Sequence, residues 1–232
     1  NNWENTGLAN ASKFKKLGLV AVGVGEGIIE VLKSLGVDMV VEGGQTMNPS
    51  TEDLLNACNQ VNAESVIIFP NNSNIIMAAQ QVVELCDKQV VVVPTRSIMQ
   101  AITALIAYDP EGEPGEIAAA MIEEMEQVKY AEVTYAVRDS SINGLSIKDG
   151  DIIGILGDEI TVTSSTPEDV LLKLLEQMVD EDSSLITFFY GDEINEDQAS
   201  QIKDTIVESY GDCDVEYHFG GQPHYSYLVS AE

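Results

Sequence analysis

The sequence predicts an α/β fold with two lobes, and two patterns carry that prediction. Residues 17–108 alternate short runs rich in β-branched residues with segments of helical period, as parallel strands joined by crossover helices do. Residues 131–232 begin with short strands separated by turn signals before helices return, which is typical of an α+β arrangement. We therefore expect an amino-terminal, doubly wound parallel sheet and a carboxy-terminal lobe with a mixed or antiparallel sheet.

The first lobe is expected to hold four strands and four helices. The four valines at 90–93 are apolar on both faces, which favours a strand buried between two helical layers. Ser50 followed three residues later by Asp53 is close to a capping box, and Ser73 or Asn74 is expected to cap the third helix. The predicted strands are 17–24, 37–41, 65–69 and 89–93, and the predicted helices are 26–35, 50–61, 75–86 and 98–108.

The second lobe follows a segment rich in proline and glycine, 109–115, and a helical pattern at 116–128. Thr166 and Asn195 are expected to be helix N-caps. Its predicted strands are 132–138, 151–156, 159–163, 185–190, 214–219 and 225–230, and its predicted helices are 167–179 and 196–210. The expected organisation is a linker from missing upstream domains at 1–16, the parallel lobe at 17–114, a bridging helix at 115–130 and the α+β lobe at 131–232.

The chain is strongly acidic, with 39 Asp and Glu against 11 Lys and Arg and a net charge of -28 over 232 residues. A polyanionic surface repels the phosphates of nucleic acids and anionic lipid headgroups, so we expect no nucleic-acid partner and no electrostatic attraction to a membrane. Residues 131–232 hold 22 acids and 4 bases. This excess is typical of a solubilising surface and also of a docking surface for a basic partner, and both interpretations stay open.

The sequence offers no apolar run long enough to span a bilayer and no apolar signal segment at its start. We therefore expect no integral membrane association. Cys58, Cys86 and Cys213 are odd in number and widely spaced, which favours reduced thiols in a cytoplasmic protein. The lack of an initiator methionine suggests a piece of a longer protein.

Polar or glycine-rich loops follow all four predicted strands of the first lobe. Ligands of open parallel sheets bind outside the carboxyl ends of the strands. These loops supply free N–H groups, amide side chains and one cation, which suit a carboxylate, a phosphate or a partner's loop, although caps and turns use the same residue types. The candidate residues are Gly43, Gly44, Gln45, Thr46, Asn48, Asn71, Asn72, Asn74 and Arg96.

The sequence contains no catalytic or cofactor-binding motif with the residue spacing that such a motif requires. The glycines at 23, 25 and 27 do not make a dinucleotide-binding turn, because the third glycine of that motif falls on Ile28 and Glu26 would face the pyrophosphate. His218 and His224 lack the spacing of a metal-binding pair. The residues therefore indicate a binding protein with neither a metal site nor a nucleophile.

Five runs carry a family resemblance: 34–38, 43–53, 70–81, 136–139 and 220–227. They resemble the carboxy-terminal region of bacterial dihydroxyacetone-kinase-like proteins, which include the ATP-binding subunit of fatty acid kinase. The resemblance spans essentially the whole chain. It implies the two-lobed fold of the DegV-like fatty-acid-binding proteins.

The resemblance also implies that nucleotide binding and partner docking belong to different domains of the full-length protein. ATP and Mg²⁺ would belong to an upstream domain of the full-length protein, so this chain would carry no cofactor and would not be an enzyme in isolation. The region is implicated in docking the separate acyl-carrying, fatty-acid-binding subunit, whose fatty acid is phosphorylated. The matching stretches add Gly220, Gly221 and Gln222 to the candidate residues, and 95–97 is a loose analogue of the carboxylate-holding motif of the DegV-like proteins.

Three hypotheses follow for the function. The leading one is a non-catalytic domain of a fatty-acid-kinase-like phosphotransferase that docks the acyl-carrying subunit. The alternative is a DegV-like domain that binds a lipid, such as a fatty acid, or a small polyol in the cleft between the lobes. An independent dihydroxyacetone kinase is the third, and it predicts ATP turnover by the isolated chain.

Overall fold

The computed structural model describes residues 13–43 and 48–232, and its first lobe contains a four-stranded parallel sheet. The strands are β1 (Lys15–Gly23), β2 (Met39–Glu42), β3 (Ala63–Phe69) and β4 (Gln89–Val92). The helices are α1 (Glu26–Ser34), α2 (Thr51–Gln60), α3 (Ile76–Leu85) and α4 (Ile98–Ala104), which a 3₁₀ turn (Leu105–Ala107) continues. The strand order is β2-β1-β3-β4. The chain leaves β1 towards one edge and β3 towards the other, so the topological switch point lies between the carboxyl ends of β1 and β3.

The second lobe contains a six-stranded mixed sheet. Before it, the helix α5 (Pro114–Met125) packs against α4 and the sheet of the first lobe. In chain order the elements of the second lobe are β5 (Lys129–Tyr135), β6 (Ser140–Ile142), β7 (Leu145–Ile147), β8 (Ile152–Leu156), β9 (Glu159–Ser164), α6 (Pro167–Met178), β10 (Leu185–Tyr190), α7 (Glu196–Ser209), β11 (Asp214–Phe219) and β12 (Tyr227–Ala231). The strand order is β11-β10-β12-β5-β8-β9, with β10 and β11 parallel and the other neighbours antiparallel. The predicted fold class is confirmed.

The two lobes share a hydrophobic core. Alternate residues of β1 belong to different apolar clusters, with Leu19 and Ala21 in one and Val20 in the other, because successive side chains point to opposite faces of the sheet. The cluster of Leu19 also contains Phe189 and Leu228 from the second lobe. The face of the first sheet that carries Leu19 is therefore buried together with residues of the second lobe.

Three predicted helix starts are confirmed. The Ser50 hydroxyl accepts a hydrogen bond from the Asp53 N–H at 3.1 Å, within a complete capping box. Thr166 caps α6, and Asn195 caps α7. Such caps satisfy N–H groups that the first helical turn leaves free.

One local prediction is wrong, and one element was missed. The helix α3 has no side-chain cap, and neither Ser73 nor Asn74 serves as one. Instead, Asn72 Oδ1 accepts a hydrogen bond from the Asn74 N–H at 2.8 Å and shapes the loop before the helix. The hairpin of β6 and β7 was not predicted, because its three-residue strands are too short and too exposed for an alternating pattern, although Asn143-Gly144 marks its turn.

Candidate ligand and partner site between the lobes

A small apolar pocket lies at the topological switch point, between the two lobes. The space open to the centre of a water molecule is about 60 Å³. One water needs about 10–15 Å³ on this measure, so the pocket has room for roughly four or five non-hydrogen atoms. Its apolar walls are Val22, Val24, Ile28, Ile75, Ile98 and Leu228.

A wider polar groove adjoins this pocket and also runs between the lobes. Asn72, Glu132 and Tyr225 line both spaces, so they mark the junction of pocket and groove. The groove offers about 440 Å³ to the centre of a water molecule. A ligand or a partner's side chain that approaches through the groove therefore meets Glu132 before it reaches the apolar walls.

Glu132 is a functional candidate that the sequence interpretation missed. On β5, Ala131 and Val133 belong to the core beneath α6, so Glu132 between them faces the first lobe. Burial, followed by repulsion from Asp158, raises the pKa of Glu132 from 4.5 to about 7. The signal available in the sequence was a single acid between Ala131 and Val133 at the start of a predicted strand. In the sheet, Glu132 is paired with Leu228 on β12 and Ile155 on β8.

Arg96 joins the two lobes across the groove. Its guanidinium pairs with the carboxylate of Asp158, in the turn between β8 and β9, and Ser73 Oγ donates to the same carboxylate at 3.2 Å. The Arg96 and Asp158 side chains are 52% and 49% exposed, so water weakens their attraction. An anionic ligand could bind Arg96 only if the guanidinium contacted both Asp158 and the ligand, or if the ion pair with Asp158 broke.

Asn71 fixes the loop that follows β3. Its backbone has a φ of 59°, and its side-chain Nδ2 donates to the carbonyl of Val22 at 2.8 Å. Thr95 Oγ1 donates to Asn71 Oδ1 at 2.7 Å and accepts from the Asn71 N–H at 3.1 Å. The side chain of Asn71 thereby connects the carboxyl end of β1 to the loops that follow β3 and β4.

The Gly-Gly-Gln run at 220–222 packs against the beginning of α1. The Ile28 N–H, in the first turn of α1, donates to the Gly220 carbonyl at 3.1 Å. A Cβ on Gly25 would lie 2.5 Å from the Gly220 carbonyl oxygen, and φ at Gly25 is 107°. The glycines before α1 thus admit backbone of the second lobe, which occupies the helix end where a phosphate would bind in a dinucleotide site.

Gln222 closes the inner end of the Gly-Gly-Gln run. The side chain is buried, and its Nε2 donates to the carbonyls of Phe189 at 3.2 Å and Tyr225 at 3.1 Å. Within the described part of the chain its Oε1 has no hydrogen-bond partner, and a Cβ on Gly220 would lie only 2.0 Å from this oxygen. Gln222 therefore positions β10 and the loop before β12, and Gly220 leaves room for its amide.

The structure brings together some of the candidate residues. Gly43, Asn71, Asn72 and Gln222 line the pocket, while Asn74 and Arg96 line the groove with Asn72. Asn48 is exposed ahead of α2 and lines neither space. The other first-lobe candidates, Gly44, Gln45 and Thr46, lie outside the described residues, while Gly220 and Gly221 pack against the start of α1.

The histidines and cysteines have ordinary surroundings. His224 Nδ1 lies 2.9 Å from the Tyr135 hydroxyl, and the His218 ring stacks obliquely on Phe189 at 5.2 Å. Burial raises the pKa of the Cys58 thiol to about 12, which keeps it protonated and unreactive. Across 13–43 and 48–232 no group of three or more His, Cys, Asp or Glu is placed to hold a metal ion, and no helix is long and apolar enough to cross a membrane.

Comparisons with known sequences identify relatives over nearly the whole chain. A family model for FakA-like carboxy-terminal domains, named after fatty acid kinase, matches residues 18–232. Protein YloV of Bacillus subtilis is 46% identical over 215 residues, which cover 93% of this chain and 39% of that protein. The chain spans about two fifths of the length of the curated relatives it matches.

Comparisons with solved structures identify the same two-lobed fold. The DegV family protein Cg2579 of Corynebacterium glutamicum superposes with a TM-score of 0.65 at 13% identity, covering 94% of this chain and 97% of that one. The Streptococcus pneumoniae Fatty Acid Kinase B3 protein, solved loaded with linoleic acid, gives a TM-score of 0.60 at 11% identity and covers 93% and 98%. Identities this low establish similarity of fold alone.

Proposed function

Because the chain belongs to the FakA-like carboxy-terminal family of fatty acid kinase domains, we propose that it docks the acyl-carrying subunit of a fatty-acid-kinase-like phosphotransferase. The observation that carries the proposal is the family match over residues 18–232. The chain covers 39% of its relative YloV, which leaves room for other domains in such a protein. In this proposal the ATP and Mg²⁺ site belongs to one of those domains, and the role places the chain in the cytoplasm.

The start of α1 supports a non-catalytic role. Phosphate groups of nucleotides bind well at a glycine-rich turn followed by a helix N-terminus. Here the Gly220 carbonyl accepts the Ile28 N–H, and the backbone around Phe219 fills the space over Gly27. A nucleotide would have to displace the second lobe to use this turn.

The size of the inter-lobe pocket supports docking over lipid carriage. A fatty acid of common length has about 18 non-hydrogen atoms, whereas the pocket holds roughly four or five. Arg96 and Asp158 also join the lobes at the groove beside it. A bound acyl chain would have to extend from the pocket into the adjoining groove, which is lined mostly by polar residues, so the acyl group in this proposal stays on the partner.

The acidic second lobe supports a partner with a basic face. Residues 131–232 hold 22 acids and 4 bases. Within that lobe β11 is an edge strand, and its Asp214 and Glu216 are exposed. An unpaired strand edge accepts contacts from a second chain, and the surrounding acid would attract a basic one. We place the docking surface on this edge.

Capture of the acyl-carrying protein by the purified chain tests the proposal. The partner is the fatty-acid-binding protein of the same organism, loaded with a fatty acid, and the full-length kinase protein serves as the positive control. We expect the isolated chain to bind the partner and to show no turnover of ATP. Binding by the full-length protein but not by the chain would overturn the proposal.

The alternative, a lipid or small-polyol carrier, has a separate readout. Native mass spectrometry of the chain purified from its own organism would detect a ligand between the lobes by its mass. A retained fatty acid would favour lipid carriage. The pocket's capacity of about 60 Å³ favours a smaller occupant.

A further inference from the structure

The inter-lobe pocket contains a carboxylate that nothing in the described chain neutralises. Glu132 lines both pocket and groove, and within 13–43 and 48–232 its carboxylate forms no ion pair and no hydrogen bond. The charge that acts on it is Asp158, another carboxylate. Glu132 is half-buried, and a partly desolvated charge costs free energy unless a proton, water or a cation compensates it. Above about pH 7, where Glu132 releases its proton, a cation bound beside it would therefore be stabilising.

The chain itself supplies no such cation. Segments 1–12 and 44–47 contain neither Lys nor Arg, so all 11 basic side chains belong to residues that the structure describes. Among these residues, Arg96 lines the same groove but is held by Asp158. The other ion pairs in the described part of the chain also use carboxylates other than Glu132, and their cations are Lys15, Lys16, Lys129 and Lys173. A cation for Glu132 must come from another molecule.

The shape of the pocket selects the kind of cation. A guanidinium is planar and presents five N–H donors, which one carboxylate in an apolar pocket cannot satisfy. A primary ammonium is a compact charge on an apolar stem, and about four carbons with the nitrogen match the available volume. We propose that the pocket binds a primary alkylammonium group, with its nitrogen against Glu132 and its stem against Val22, Ile98 and Leu228.

Two sources can present this chemistry. One is a free small amine, and the other is the side chain of a lysine on a partner protein, which carries its ammonium on a four-carbon stem. The inference rests on Glu132 and the pocket and does not depend on the proposed docking role. Above the pKa of Glu132, its negative charge also repels a carboxylate ligand of the same size.

An NMR titration of the chain with n-butylammonium tests the inference at about pH 8, above the pKa of Glu132, with butyrate as the ligand of opposite charge. Ionic strength is matched with sodium chloride. We expect saturable shifts of the amide signals of Val22, Ile98 and Leu228 with butylammonium and none with butyrate. The absence of saturable shifts with butylammonium, or equal binding of butyrate, would overturn the inference.

A neutral variant tests the role of Glu132 directly. Glu132→Gln should weaken butylammonium binding at least about tenfold, because a paired buried charge contributes more than a neutral hydrogen bond. Glu123→Gln removes an exposed carboxylate from α5 and should bind as the unmodified chain does. Undiminished binding by Glu132→Gln would contradict the proposal.

The unmodified chain provides a second readout that needs no variant. Lowering the pH to about 5 protonates Glu132 and should release the amine. Asp158, Arg96, Tyr130 and Tyr225 face the same junction, and burial raises the pKa of both tyrosines further above this range. Binding that is equally tight at both pH values would contradict the inference.

Competition separates the two sources. If butylammonium prevents capture of the acyl-carrying protein, a lysine of that partner occupies the pocket. If capture is unaffected while the amine still binds, the occupant is a free amine. Sodium chloride at the same concentration is the control for general screening.

Discussion

Gly27 and Phe219 lie so close together that a Cβ on Gly27 would be 1.7 Å from the Phe219 carbonyl oxygen. The contact joins the second residue of α1 to the last residue of β11, which is almost two hundred positions away in the sequence. It seats the end of the six-stranded sheet on the first lobe. The relative position of the lobes thus depends on the absence of a side chain at Gly27.

Gly27→Ala is therefore expected to destabilise the protein. The methyl group would overlap a backbone oxygen that cannot move without displacing β11, so we expect a loss of about 2–4 kcal/mol in the free energy of unfolding. Chemical denaturation measures it. Gly115→Ala in α5 is the matched control, because nothing lies within 4 Å of its Cβ position, and it should change stability by less than about 1 kcal/mol in either direction. Equal effects at the two positions would contradict this packing.

Thr95→Val tests the loop network around Asn71. The substitution keeps the shape of a fully buried side chain but leaves the Asn71 N–H and Oδ1 without their partner. We expect a loss of about 1–3 kcal/mol and faster hydrogen exchange in the loop after β3. Thr205→Val, at an exposed position of α7, is the control and should have little effect. Unchanged exchange in Thr95→Val would show that the hydroxyl does not hold the loop.

Arg96 and Asp158 are expected to contribute little to stability despite joining the lobes. Both side chains are about half exposed, so a double-mutant cycle with Arg96→Met and Asp158→Asn should give a coupling energy of about 1 kcal/mol or less. The coupling should fall as salt is added. A coupling energy above about 2 kcal/mol that salt does not change would indicate that water reaches the ion pair much less than the exposure of its side chains implies.

Glu132→Gln is expected to stabilise the protein at alkaline pH. The raised pKa means that between about 4.5 and 7 the folded chain keeps a proton that the unfolded chain releases, so stability falls as the pH rises through this window. Glutamine cannot ionise. The variant should match the unmodified chain at about pH 4 and exceed it by about 1–3 kcal/mol at about pH 8. The measurement is denaturation at a series of pH values, and parallel pH profiles would contradict the burial of this carboxyl group.

Much of the fold could be predicted from local sequence patterns. The burial of β1 on both faces follows from its apolar run, and the starts of α6 and α7 follow from Thr166 and Asn195, because caps act within a few residues. The family resemblance indicated the two-lobed fold: the family match over 18–232 confirms the resemblance, and the similarity to DegV family structures confirms the fold.

The centre of the candidate site depends on contacts that no local pattern contains. The glycine at 27 is explained only once β11 is seen to pack on α1. Glu132 acquires its raised pKa from burial by the opposite lobe and from Asp158, which is 26 positions further along the chain. The polar loops were correctly expected to meet at one sheet edge, but the sequence does not show that Arg96 is already paired there.

The association rate of the chain with the acyl-carrying protein, measured against ionic strength, tests the docking account most directly. If the acid of the second lobe attracts a basic partner, the rate should fall by about tenfold or more between about 50 and 500 mM salt. A chain with Asp214→Asn and Glu216→Gln should associate more slowly, whereas Glu52→Gln with Glu84→Gln, exposed in the first lobe, should not. A salt-independent rate would mean that the acidic excess contributes to solubility and does not attract the partner. No association at any salt concentration would contradict the docking role itself.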